Sequence, residues 1–165
     1  KVTEYLRNPS NVPHDQLAAI LSTEIDPETD LSHPNWDAKR RAHGERKEQE
    51  LKELLKSHRI WYFDENDLRK FGYPKTPDFK LPFPVGLNQE PVCWVESKAL
   101  FGDDSAHAEY TKSQYQPYVS RFGPGAVVYW HGFVEELAGR VEGLQILDGD
   151  TLVAALSTAT KIALH

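Results

Sequence analysis

Apolar residues along this chain switch between helical and extended spacing. Leu51, Leu54 and Leu55 recur at three- and four-residue intervals, with Ala42 a further candidate on that face and charges on the others. Trp36 to His58 favours helix, with Gly44 the one strong breaker. Earlier, the apolar stretch Leu17 to Leu21, entered through Pro13, predicts one helix, and Ile25 to Asn35 has turn chemistry throughout. Ile60-Trp61-Tyr62-Phe63 reads as a short buried strand. Asp64 then caps a helix of one or two turns through Arg69, with Asp67 in the capping-box position and Gly72 past its end. Phe79 to Phe83 alternates as a strand, Gly86 to Gln89 turns, and Val92 to Lys98 returns as a second strand. Ser105 to Arg121 predicts a helix capped by Ser105, kinked or ended early by Pro117, and stopped by Gly123-Pro124-Gly125. Ala126 to Trp130 is the unbroken apolar run of a central strand. Leu144 to Leu147 adds a strand and Thr151 to Leu164 a terminal helix. This order predicts an α/β fold: a mixed central sheet flanked by helices over residues 36–165, with residues 1–35 a helix and loop leading into it.

Composition narrows the classes. A chain of 165 residues with 39% hydrophobic content and four Trp, seven Tyr and seven Phe is long and apolar enough for one well-packed domain. The single cysteine, Cys93, excludes an internal disulfide and suits a reducing compartment, nucleus or cytoplasm. No run approaches the roughly 20 apolar residues of a membrane span, and no signal peptide opens the chain. It begins at Lys1 and contains no Met, so it reads as a piece of a longer protein. Net charge is −6, yet Lys39 to Lys80 holds 12 basic against 8 acidic residues, so charge neither favours nor excludes nucleic acid. No zinc cluster, phosphate-binding glycine loop or serine-nucleophile motif is present.

The hairpin carries the candidate chemistry. A turn over Gly86 to Gln89 sets Asp78 directly opposite Glu96, and directly opposed residues project from one face. Lys98, two residues beyond Glu96, shares that face. Two adjacent carboxylates stay ionised only beside a cation, and Mg²⁺ accepts one or two carboxylates while keeping waters. A metal held by Asp78 and Glu96, with Lys98 orienting a water, is a kit for phosphodiester hydrolysis. Glu48 lies on the Leu51/Leu55 stripe of the long helix and is a third carboxylate candidate. Cross-strand ion pairs of these residue types are also ordinary sheet surface, so spacing alone leaves a structural role open.

Several longer motifs sharpen the reading: Lys75-Thr76-Pro77-Asp78-Phe79, Trp94-Val95-Glu96-Ser97-Lys98-Ala99 followed by Phe101-Gly102-Asp103, Arg121-Phe122-Gly123-Pro124-Gly125, and Tyr129-Trp130 followed by Gly132-Phe133. Together they resemble the codanin-interacting nuclease family, also called the TPD family after the tripeptide at Thr76 to Asp78. That family is placed in the PD-(D/E)xK superfamily with type II restriction endonucleases and archaeal Holliday-junction resolvases. The resemblance runs from about Tyr5 to Phe133, is dense from Asp64 onward, and is looser in Ile25 to His43. It implies a restriction-endonuclease-like fold and a Mg²⁺- or Mn²⁺-dependent nuclease. Asp78 and Glu96 would be metal ligands, Lys98 the catalytic lysine, Glu48 the helix-borne acid, and Gln114 a polar residue on the helix behind the site. It also implies a nucleic-acid substrate (DNA or RNA, branched or single-stranded, left open), a codanin-like partner, nuclear chromatin work, and an oligomeric state left open with a dimer allowed. A fold kept only as a protein-interaction module is the competing expectation.

Weaker candidates surround these. Lys75, Lys80, Lys112 and Arg121 are expected either to contact backbone phosphates or to be solvated surface charges. His107 either reaches a phosphate or bonds within its helix start. Tyr110, Tyr115 and Tyr118 either stack on bases or pack in the core. Cys93 is expected on the face opposite Glu96.

Overall fold

The computed structural model describes residues 36–161, so the expected helix at Leu17 to Leu21 and the loop to Asn35 lie outside the described residues. The chain divides into two compact units, Lys1–Ala42 and His43–His165, and the whole sheet belongs to the second. Helix α1 (Trp36–Ser57) is the long helix read from the sequence. It ends where Arg59 turns left-handed at φ 57°, with Ile60 N–H donating to the Leu55 carbonyl and Arg59 N–H to that of Lys56. These are the crossed bonds of a Schellman cap. Strand β1 is only Phe63–Asp64, shorter than the Ile60-to-Phe63 expectation. Asp64 caps α2 (Glu65–Lys70) in a full capping box with Asp67, and Gly72 (φ 86°) follows its end.

Strands β2 (Phe79–Leu87) and β3 (Glu90–Lys98) form the hairpin. Helical residues then run through α3 (Asp104–Tyr110), a π-helical turn (Thr111–Tyr115) and α4 (Gln116–Phe122). Asp103, not Ser105, caps this run by accepting from the Ala106 N–H. Pro117 does not end it. It falls in the first turn of α4, where a missing N–H is tolerated. Strand β4 (Gly125–Tyr129), a 3₁₀ turn at Glu135–Leu137, β5 (Leu144–Leu147), α5 (Gly149–Ser157) and β6 (Thr160–Lys161) complete the described chain. The terminal helix is thus shorter than expected and gives way to a strand.

The architecture is α/β: a mixed sheet in the order β1-β2-β3-β4-β5, with β6 also on β2, and helices against it. Pairing is antiparallel from β1 to β3 and parallel from β3 to β5. One sheet face packs Phe79, Val95, Ala126 and Val128 with Leu51 and Leu55 of α1 and Leu152 and Leu156 of α5. The other packs Trp94, Val127 and Tyr129 with Tyr115 and Tyr118. Because β4 is covered on both faces, its residues need no alternation, which explains the apolar run. Gly125 opens β4 because a Cβ there would stand 2.0 Å from the Trp94 ring.

Hairpin register corrects one detail of the sequence reading. The turn is two residues, Asn88 and Gln89, both at positive φ (50° and 68°), with Leu87 opposite Glu90. That is the primed turn whose twist suits a tight hairpin. Continued regularly, it would not bring Asp78 opposite Glu96. A bulge restores the match: Leu81 to Pro84 on β2 stand against Cys93 alone on β3, after which Lys80 faces Trp94 and Phe79 faces Val95. Pro82 and Pro84 lie in that bulge, where no ladder N–H is required. The irregularity also turns half-buried Cys93 into the Trp94 cluster, against the expectation from strict alternation.

Candidate active site

The site lies where β2 begins and β3 finishes. Asp78 precedes β2 in a bend, its backbone N–H donating to Glu96 Oε2 at 3.1 Å. In return, the N–H of Ser97 donates to Asp78 Oδ2 at 2.8 Å. This reciprocal lock fixes both carboxylates side by side on one sheet face. Lys98 Nζ donates to Glu96 Oε1 at 2.7 Å and sits 4.4 Å above the Tyr110 ring. Glu96 is 3% exposed and Asp78 half-buried, so both charges are taken from water.

Electrostatics follow from that geometry. Burial, then the Glu96 charge, push the Asp78 carboxyl up to about 8, and the Ser97 hydrogen bond and Lys98 only partly oppose this. Burial raises Glu96 too, against the pull of Lys98. Glu48 on α1 is exposed rather than turned inward with Leu51 and Leu55 as its spacing suggested, yet partial desolvation and the Asp78 charge raise it as well, which puts it within electrostatic reach of the pair. One lysine cannot neutralise three carboxylates that repel one another, so the donor set fits a hard cation. Among the described residues no three His, Cys, Asp or Glu side chains converge into a ready-made metal cage. The arrangement is a carboxylate pair with an outlying third acid, which matches an ion that keeps waters and substrate oxygens in its shell.

The remaining candidates divide. Lys75 and Arg121 come together: the Arg121 guanidinium donates to the Lys75 carbonyl at 3.1 Å, and Lys75 Nζ donates to the Ser113 carbonyl at 3.3 Å. Both are exposed, as is Lys112. Half-buried Lys80 donates to the Leu81 carbonyl at 3.0 Å. His107 is placed otherwise than expected. At 3% exposure it cannot meet a phosphate, and its Nδ1 bonds the Tyr129 hydroxyl at 3.0 Å, itself 3.0 Å from that of Tyr115. Burial lowers His107 and raises Tyr115, and it pushes Tyr129 up to about 12, so this row is neutral. Gln114 is half-buried on the π turn with Oε1 unpaired among the described residues. Tyr115 and Tyr118 are core residues, and Tyr118 also donates to the Thr76 carbonyl at 2.7 Å, tying down the loop before Asp78.

Sequence reasoning missed three supports. Tyr110 lies under the Lys98 ammonium, Ser97 contributes its backbone, and Trp130 Nε1 holds the Ser97 hydroxyl at 2.9 Å from the opposite face. Trp130 left a signal, as a polar-tipped aromatic closing an apolar run, and Tyr110 was singled out for a different role.

The family model described as "Protein of unknown function TPD sequence-motif" matches residues 14–150. Among curated proteins, the chain is similar to "CDAN1-interacting nuclease 1" of Xenopus tropicalis, 38% identical over 99% of this chain and 55% of that one. The protein of the same name from Homo sapiens is 40% identical over 82% of this chain and 48% of its own length. That from Gallus gallus is 49% identical over 51% of this chain and 31% of its own. The chain therefore spans about half the length of the curated relatives it matches. No solved structure matches it. With the family model covering most of its length and its TPD tripeptide ending in the locked Asp78, the chain belongs to the TPD sequence-motif family, alongside the proteins named CDAN1-interacting nuclease 1.

Proposed function

We propose that this chain is the catalytic region of a metal-dependent nuclease of the PD-(D/E)xK type, with Asp78 and Glu96 holding Mg²⁺ or Mn²⁺ and Lys98 serving catalysis. The observation that carries this reading is the reciprocal backbone lock between Asp78 and Glu96, with the Lys98 ammonium 2.7 Å from the latter. A scaffold has no need to bury two mutually repelling carboxylates. A divalent cation there supplies charge stabilisation to the reacting phosphate. The protein's own groups position everything else. Lys98, steadied over Tyr110, orients the attacking water and stabilises charge on the phosphate oxygens. Glu48 stands outside the pair as acceptor for the water proton. Water adds to phosphorus, the bond to one sugar oxygen breaks, and a phosphomonoester and a free hydroxyl result.

The names of the relatives add a partner, so we extend the proposal to binding of a CDAN1-like protein, in nucleus or cytoplasm. Calorimetry with Mn²⁺ tests the site: wild type shows one binding event that Asp78→Ala lacks. In a cleavage assay with labelled oligonucleotides, metal-dependent cutting drops in Lys98→Ala while Mn²⁺ binding persists. Cleavage unchanged in that variant would overturn the assignment.

A further inference from the structure

Beside the sheet face that bears Asp78, two aromatic rings, Trp61 and Phe71, are exposed to solvent next to a half-buried third, Phe63. Phe63 of β1 pairs directly with Lys80 of β2, and Lys80 with Trp94 of β3, so all three project from one face. Asp78, two residues from Lys80, shares it. Tyr62 packs edge-on to Phe79 on the other face, at 5.0 Å and 77°. Ile60 and Tyr62 both pack against the core on that side, and Trp61 between them is left out of it. Phe71, from the corner after α2, meets the Phe63 ring edge-on at 5.6 Å. Trp61 is 80% exposed and Phe71 63%. Single exposed apolar residues are common, but two large exposed rings beside a half-buried third, next to the strand that follows Asp78, form a patch.

We propose that Trp61, Phe63 and Phe71 form a stacking shelf for unpaired bases, so that this site takes single-stranded nucleic acid. The inference rests on the nuclease reading of Asp78, Glu96 and Lys98. Aromatic rings hold bases of any sequence through their π faces, and a duplex buries those faces. Cations bracket the shelf as a phosphate backbone requires. Lys80 pairs with Phe63 across the strands and donates to the Leu81 carbonyl, while Lys75 and Arg121 flank the loop into Asp78. The acids of α2 do not oppose this, because Glu65 pairs with Arg69 and Asp67 with Lys70. Lys80, Lys75 and Arg121 on the approach to the carboxylate pair favour nucleic acid over a protein partner.

The test uses the full chain without divalent metal, so that binding is read free of cleavage. Tryptophan fluorescence and anisotropy are followed on adding an oligothymidylate or a duplex of equal length. Single strand binds more tightly, and Trp61→Ala weakens it by about 5- to 150-fold, the range for loss of one stacked base. Phe71→Ala acts in the same direction, and circular dichroism of both variants stays that of wild type. Equal binding by Trp61→Ala, or preference for duplex, overturns the shelf. So does loss of a CDAN1-like partner with single-strand affinity intact, which would make the rings a protein-docking surface. Lys98→Ala separates the two claims: it cuts cleavage without touching stacking, whereas the shelf variants change affinity for substrate.

Discussion

Asp78 is held by two opposing demands: its lock to Ser97 wants a carboxylate, and its burial beside Glu96 resists one. An unfolded aspartate ionises near 3.9. Since the folded value is raised to about 8, the metal-free fold holds that proton more tightly than the unfolded chain does. Its contribution to stability is fully present below about pH 4 and is lost as pH rises toward 8. Urea titrations from pH 4 to 8 should show this decline in wild type. Asp78→Asn, whose amide oxygen can still accept from Ser97, should flatten the profile, and an unchanged slope would place the proton elsewhere. Lys98 is the converse case. Its ammonium is fixed by Glu96 and Tyr110, so Lys98→Ala should cut turnover by roughly 100-fold or more, the scale of one lost charge-stabilising group.

Elements show why the sequence was readable here and opaque there. Helix α1, the α2 capping box and β4 were legible because their signals are local: periodicity, a side chain three residues from its target, an apolar run. The pairing of Asp78 with Glu96 was anticipated from a turn centred too early, and it stands only because the β2 bulge absorbs the difference. Two prolines marked that bulge, but how many residues it absorbs depends on the strand opposite. The π turn was invisible, since an inserted helical residue leaves no compositional trace. The hairpin turn yields a direct test. Gln89 sits exposed at φ 68°, a region that costs a side-chain-bearing residue about 1 kcal/mol. Gln89→Gly should therefore raise stability by about 0.5–1 kcal/mol in thermal melts, with metal binding unaffected.

For the whole molecule, the site is a stress that the fold carries across β2 and β3. Both strands are buried on one face by Leu51, Leu55 and Leu152, so residues around the carboxylates cannot relax apart without opening the core. A ligand that relieves the repulsion must then stabilise the entire domain, because it binds the folded pair and not the unfolded chain. At 100 times its dissociation constant, Mn²⁺ should add about 2.7 kcal/mol, which is roughly 5–10 °C in melting temperature at this chain length. The rise should shrink at pH 5, where protons held by Asp78 and Glu96 compete with the ion, and grow as pH passes 8. It should vanish in Asp78→Asn at every pH, whereas Lys98→Ala, which removes a cation from beside the pair, should keep or enlarge it. A melting temperature indifferent to Mn²⁺ in wild type would mean that the two carboxylates are locked to each other and to nothing else.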